Sequence, residues 1–312
     1  MKLGFALPHQ GPVATRENMR RVATEAEQLG YDTLWTNDRL LLPVNAKTPY
    51  PGSPDGKLNE EYKVHLEHLT CLTYASALTD KIGLGVSVIN VPFHNPIMLA
   101  KRLSAMDILS DGRLIVGLGL GWSEDESDAA GIQFRERGRI GEEAILCMKA
   151  VWGPDPVEFH GKYFNLEPAY IGPKPVQKPH PPILLGAFMP RALDRAGRLA
   201  DGFTGCCASV DALISMMNTV KDAARERGRD VSRMPTVMRC LVTRTETRVD
   251  DPNRPVTVGN WDQIRDDVLK MREAGVGEAF FDVAFQPDAQ NQRGLLDYME
   301  KFRNILESPV PA

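Results

Sequence analysis

A chain of 312 residues with 43% hydrophobic and 25% charged residues can bury a sizeable core and is long enough for one (β/α) barrel. Its net charge of -4 argues against a duplex-binding surface, which needs clustered Lys and Arg. No apolar run approaches the roughly 20 residues of a membrane span, and Pro8 interrupts the N-terminal apolar stretch too early for a signal peptide. A cytoplasmic protein without nucleic-acid or membrane partners is expected.

Residues 2–7 read as a strand and 15–29 as a helix, with Val22, Ala26 and Leu29 on one face. A second strand is predicted over 33–36. Residues 40–61 then break the rhythm with Pro43, Pro49, Pro51 and Pro54, interspersed with Lys47, Tyr50 and Lys57. Because this insertion follows a strand, it falls on the face where barrel active sites form, and it reads as a lid. A helix is predicted near 62–78 and a third strand over 82–88. The helix over 95–109 repeats Leu99, Leu103 and Met106 at helical spacing; Asn95 caps it, Pro96 suits its first turn and Asp111-Gly112 ends it. A fourth strand over 114–119 leads to a helix over 140–152.

The second half repeats the pattern. Residues 157–164 alternate like a hairpin about His160-Gly161, and the proline-rich stretch 173–182 forms an extended connector. Strands are predicted over 183–186, 202–205, 236–242 and 279–283, with helices over 191–199, 210–227, 261–273 and 295–305. About eight strand–helix units with no polar linker define an α/β fold, a (β/α)8 TIM barrel over residues 1–312 with insertions after strand 2 and before strand 5. The continuous apolar run Ile183-Leu184-Leu185 suits a parallel sheet covered on both faces.

Catalytic groups in such a barrel sit at the carboxyl ends of strands. That selects His9, Asn37-Asp38-Arg39, residues 88–90, residues 118–124 and residues 186–191. Gly117, Gly119 and Gly121 alternate before Trp122 and bare one strand face, so that a flat ring or another backbone can approach. Gly186-Ala187-Phe188-Met189-Pro190-Arg191 ends a strand and starts a helix, whose free N–H groups beside Arg191 could cradle a phosphate. Asp38, next to Arg39, either keeps its charge to bind a ligand edge or forms a structural ion pair. Gly85-Val86 marks a bulge or a close contact.

Neither metal catalysis nor an elbow nucleophile is expected. His65 and His68 would share a helical face, but the first strand offers only His9 as a ligand at its end; His68 and His94 read as structural or pocket-lining. Cys71, Cys147, Cys206, Cys207 and Cys240 show no metal-ligand spacing and read as reduced, buried thiols in apolar surroundings, although the adjacent pair Cys206-Cys207 has the alternative of a strained vicinal disulfide.

Several segments together resemble the luciferase-like monooxygenase superfamily, and within it the coenzyme F420-dependent oxidoreductases. They are Leu29-Gly30-Tyr31-Asp32-Thr33-Leu34-Trp35-Thr36-Asn37-Asp38, Ile82-Gly83-Leu84-Gly85-Val86, His94-Asn95-Pro96 and Leu109-Ser110-Asp111-Gly112-Arg113. Residues 117–122, Gly172-Pro173-Lys174-Pro175-Val176-Gln177, and the run from Pro190-Arg191 to Gly202-Phe203 complete the set, in order along nearly the whole chain. The resemblance implies hydride transfer between F420 and an organic small molecule. It leaves open an FMNH2-dependent monooxygenase using oxygen, or a cofactor-binding barrel without catalysis, and it implies a homodimer. It also implies a non-prolyl cis peptide at Gly85-Val86 behind the cofactor ring, and Asp38 beside the ring. Gly119, Gly121 and Trp122 would border the ring, and residues 186–191 would hold the phosphate. His9 or Trp122 would shape the substrate pocket. Many relatives carry His where this chain has Arg39, which implies an anionic ring, phosphate or substrate next to Arg39 instead.

Overall fold

Short strands that are buried on both faces close into a parallel barrel in the computed structural model, which describes residues 1–53 and 55–307. Pro54 of the insertion and residues 308–312 of the expected 1–312 unit lie outside the described residues. The barrel strands are β1 (Lys2–Ala6), β2 (Thr33–Thr36), β3 (Gly83–Asn90), β4 (Leu114–Gly119), β5 (Ile183–Gly186), β6 (Gly202–Cys206), β7 (Thr236–Leu241) and β8 (Glu278–Asp282). They pair in chain order, and β8 closes on β1. Around them lie α1 (Arg16–Gln28), α2 (His68–Ser76), α3 (Pro96–Leu109), α4 (Glu124–Ala129), α5 (Arg137–Trp152), α6 (Pro190–Leu199), α7 (Val210–Arg225), α8 (Trp261–Glu273) and α9 (Gln292–Glu307). No helix among the described residues is long and apolar enough to cross a membrane.

Two apolar layers hold this arrangement. The larger lies between strands and helices and takes one face of each strand. The smaller fills the barrel: Trp35 stacks on Phe280 with ring centroids 4.8 Å apart, packed with Ala6, Leu184 and Val237. Gly4 and Gly85 flank the indole, and a Cβ at either would collide with it. Large and small residues thus alternate across facing strands, and the Trp35 and Phe280 rings fill the space the glycines leave. At the amino-terminal end of the barrel Trp35 Nε1 donates to the buried Glu278 at 2.7 Å, and Thr33 donates to the same carboxyl.

Both insertions fall where expected. After β2, the described residues of 37–67 contain one short 3-10 turn, Glu60–Lys63, and α2 begins only at His68. Before β5, an antiparallel hairpin pairs Val157–His160 with Asn165–Ala169. Its turn spans residues 161–164, beyond the expected His160-Gly161 pivot, because Glu143 of α5 accepts the N–H groups of Lys162, Tyr163 and Phe164. Helix α4 was not foreseen, since its sequence Glu-Asp-Glu-Ser-Asp-Ala has no apolar period to read.

Candidate functional site

The carboxyl ends of β2 and β3 meet at Asp38. The Ser87–Val88 peptide of β3 is cis, the pairing with β4 shifts between Val86 and Ile89, and Val88 O accepts the Asp38 N–H at 3.2 Å. This corrects the position expected for that feature. Gly85 lies deeper, against the Trp35 ring, and Val86 is buried in the outer core, so neither stands at the mouth.

Asp38 is surrounded by donors. Asn90 N donates to Oδ2 at 3.0 Å, His94 Nε2 lies 3.3 Å from the same oxygen, and His68 Nδ1 lies 3.4 Å from Oδ1. Burial opposes ionisation of Asp38, but the hydrogen bonds of His68 and His94 outweigh it and hold the carboxyl well below its usual range. Local structure delivers both rings. His68 opens α2, and a 3-10 turn, Val91–Phe93, carries the chain from β3 to His94, where Asn95 caps α3 through the N–H groups of Ile97 and Met98. The donor atoms of Asp38, His68 and His94 lie within 4.8 Å of one another, a set that could hold a metal ion. Three donors already occupy the carboxylate, so the set stands as a hydrogen-bonded cluster. His65 is not part of it. Residues 65–67 precede the helix, and His65 bridges to Gln10, so the helical face expected for His65 and His68 does not form.

Arg39 turns away from Asp38. Its guanidinium donates to Glu126 Oε2 at 3.0 Å, with the two side chains only 6% and 1% exposed. It also lies over the rings of Tyr62 and Trp122, at 4.8 Å and 5.2 Å. The structural Asp38–Arg39 ion pair, one of the two readings of that neighbourhood, does not form, and Arg39 is not a free cation for an anionic ligand, since Glu126 already neutralises it. Burial lifts the Glu126 carboxyl above its usual range, while Arg39 and the N–H groups of Leu40 and Leu41 pull it back. The insertion is fastened to α4 at a second point, where Lys47 N donates to Asp125 at 3.0 Å. Tyr50 of the insertion packs 5.2 Å from Trp122 and 6.4 Å from Tyr62, whose ring meets Phe285 at 5.1 Å. The insertion thus lies across the mouth.

Beneath it is a polar floor. His9 is buried; its Nδ1 lies 2.6 Å from Leu7 O, and Asn37 N donates to its Nε2 at 3.2 Å. Nε2 also lies 3.1 Å from Asn37 Oδ1, so both ring nitrogens are engaged, and burial depresses the pKa of the ring. Asn37 also contacts His65 Nε2 at 3.1 Å and accepts from Arg239 at 3.1 Å. Arg239 in turn donates twice to Asp282, at 2.6 Å and 3.0 Å. His9 therefore sits in the floor, behind Asn37 and His65. Arg239 and Asp282 were missed by the sequence reading, although a charged residue inside each of two apolar strands was a signal for them.

The glycines of β4 serve the bulge. A Cβ at Gly117 would strike Val86 O, and one at Gly119 would strike the Val88 side chain. Of the two expected visitors to that face, it is the neighbouring backbone that comes close. Gly121 has φ of 75° and lies under Phe93, placing Trp122 beside Arg39. On β5, Gly186 and Ala187 lead into an exposed turn, with Phe188 49% and Met189 70% exposed. Helix α6 then starts at Pro190 with no side-chain cap and no acid in its first turn, while Arg191 there is exposed.

The cysteines divide into two groups. Cys71, Cys147 and Cys240 are buried free thiols, as expected. Cys206 and Cys207 depart from that expectation: they are half-buried at the end of β6, among the polar groups of Tyr50, Arg239 and Asp282.

A closed (β/α)8 barrel with a polar constellation at its carboxyl-terminal mouth defines the class. Residues 1–252 match the sequence profile of the luciferase-like monooxygenases, and the chain belongs to that family. It is 32% identical over 207 residues to an uncharacterised protein of Mycobacterium tuberculosis, covering 66% of this chain and 73% of that one. It is 30% identical to the FMNH(2)-dependent dimethylsulfone monooxygenase of Pseudomonas putida, over 68% of this chain and 54% of the relative. With the F420-dependent glucose-6-phosphate dehydrogenase of Kineococcus radiotolerans it shares 29% identity, over 65% and 56%. Among solved structures, the monooxygenase RslO1 from Streptomyces bottropensis superimposes with a TM-score of 0.78 at 20% identity, covering 98% of this chain and 99% of that one. An F420-dependent secondary alcohol dehydrogenase gives 0.73 at 18%, covering 96% and 97%.

Proposed function

We propose that this luciferase-like oxidoreductase uses coenzyme F420 and transfers a hydride between it and a small organic molecule. The observation that carries the cofactor reading is the start of α6. A cation in the first turn of an uncapped helix is unfavourable unless an anion joins it, and Arg191 stands there with exposed Phe188 and Met189 beside it. Pro190 has no N–H, and those of Ala192 and Leu193 donate to Met189 O, so a phosphate would be held by the Arg191 side chain and its N–H, and the rest of the cofactor would cross the mouth toward β2. Buried polar atoms without partners, His68 Nε2 and Arg39 Nε, lie on that side and suit a polar ring edge.

When bound, F420 supplies the hydride chemistry; the chain supplies orientation, a dry mouth and protons. Asp38 stays ionised with an imidazole nitrogen against each of its oxygens, and His94, the more exposed of the two rings at 23% against 3%, would be the proton-handling group nearest solvent. On this reading His94 would take the part of the imidazole that many relatives carry next to the aspartate. Trp122 and Tyr50 would cover the substrate.

The FMNH2-dependent monooxygenase is the second reading, favoured by the 30% identity to a protein described as such. A binding titration of the purified protein with F420 and with FMN, followed by anaerobic turnover, separates the two. Micromolar F420 binding with oxygen-independent turnover is expected. Selective FMN binding with strictly oxygen-dependent activity would replace the first reading by the second, and tight binding without turnover on a panel of reducible substrates would leave a non-catalytic barrel. A homodimer is part of this proposal, with the exposed apolar residues Met98, Ile108 and Leu109 of α3 as the surface offered, and sedimentation velocity checks it.

A further inference from the structure

Adjacent residues of a strand send their side chains to opposite faces. Cys206 ends β6, but Cys207 has φ of 55°, in the left-handed region that side chains rarely adopt, and this breaks the alternation. The two cysteines therefore stand side by side at a kinked strand end, at the carboxyl-terminal mouth of the barrel. Both residues are half-buried, so a small oxidant can reach them, and Tyr50, Arg239 and Asp282 surround them. We propose that Cys206 and Cys207 form a redox-active vicinal dithiol, which a peroxide oxidises to a disulfide between neighbours and a thiol reductant restores.

The division of labour follows from the surroundings. Hydrogen bonding from the Cys206 thiol pulls Cys207 down to about 7 against the cost of burial, with Arg239 and the Tyr50 hydroxyl helping. The same contact raises Cys206. Cys207, at the kinked position, takes the part of the nucleophile in this proposal and Cys206 that of the resolving thiol. The Cys207 thiolate attacks one peroxide oxygen, the O–O bond breaks, and hydroxide leaves to take up the proton released when Cys207 ionised. Cys207 is now a sulfenic acid. Cys206 attacks that sulfur, the S–S bond forms, and the sulfenic oxygen departs as a second water with the Cys206 proton. The two sulfurs together lose two electrons, which reduce the peroxide.

The product must be labile. Neighbouring Cα atoms are about 3.8 Å apart, short of the roughly 4.4–6.8 Å that an unstrained disulfide spans. Strained disulfides are the easily reduced, regulatory kind. The remaining thiols differ: burial pushes Cys71 up to about 12 and Cys147 up to about 11, and it raises Cys240 as well.

Peptide mass spectrometry of the whole protein after hydrogen peroxide treatment tests this. The peptide spanning both cysteines should lose two hydrogen atoms and regain them with dithiothreitol, and one equivalent of phenylarsine oxide should protect it. Cys206→Ser should stop at a sulfenic acid on Cys207 that dimedone captures, whereas Cys207→Ser should react about tenfold more slowly than wild type. Wild-type protein that keeps both thiols free while Cys71 or Cys147 oxidises would overturn the proposal, as would Cys207→Ser reacting at the wild-type rate.

Discussion

Arg39 pairs with Glu126 at 3.0 Å, 87 positions downstream, and leaves its sequence neighbour Asp38 to two histidines. One ion pair thus ties the end of β2 and the root of the insertion to a helix that the sequence did not announce. Removing one member of a buried pair strands the other, so Arg39→Ala should cost about 3 kcal/mol in urea unfolding. The double change Arg39→Leu with Glu126→Leu should recover part of that loss. Equal losses in the single and double variants would show that the pair contributes through packing alone.

Asp38→Asn removes the charge that holds His68 and His94 but keeps the shape. If those rings manage the proton, turnover should fall by about 10²-fold while cofactor affinity changes by no more than about threefold. Steady-state kinetics alongside a binding titration check the split. A loss confined to binding would instead make Asp38 a cofactor contact only.

Arg191→Ala should weaken cofactor binding about tenfold, the effect of one phosphate contact at a helix start. Its circular dichroism and melting temperature should not change, because the side chain is exposed. Unchanged affinity would remove α6 from the cofactor site.

Acid should destabilise the fold through His9 and His65. Burial depresses both, His65 to about 3, so the folded protein keeps them neutral while the unfolded chain protonates near 6.5. The unfolded state then binds more protons below pH 6.5, and stability is lost as pH falls from there toward 3, by at most about 1.4 kcal/mol per pH unit for each ring. Melting temperatures between pH 8 and pH 4 measure this slope. His65→Gln, whose amide can still accept from Asn37, should flatten it.

Gly119→Ala places a methyl group against Val88 beside the cis peptide. A loss of about 1–3 kcal/mol is expected from overpacking, and chemical denaturation reads it directly. A neutral substitution would mean that the bulge can shift at little cost.

Much of the barrel was legible because its signals are local. Apolar runs such as Ile183-Leu184-Leu185, the Asn95-Pro96 cap and the Asp111-Gly112 stop depend on neighbours a few positions apart, and each stands where the periodicity put it. Asp38 could be chosen because the carboxyl end of a strand is a fixed place in this fold. Its partners could not be named, since His68 and His94 reach it from separate elements and nothing in their local sequence reports the distance.

The sequence by itself thus determined the strand–helix alternation, the barrel face that carries the candidate site, and the family. Tertiary structure alone decided which side chains meet there: Arg39 with Glu126, Asp38 with two imidazoles, Gly119 with Val88, and His9 in the floor with Asn37. The physical reason is that periodicity is written within a helical turn or a strand pair. Partners across the mouth are selected by barrel closure, by register, and by the requirement that every buried charge find an opposite charge or a donor.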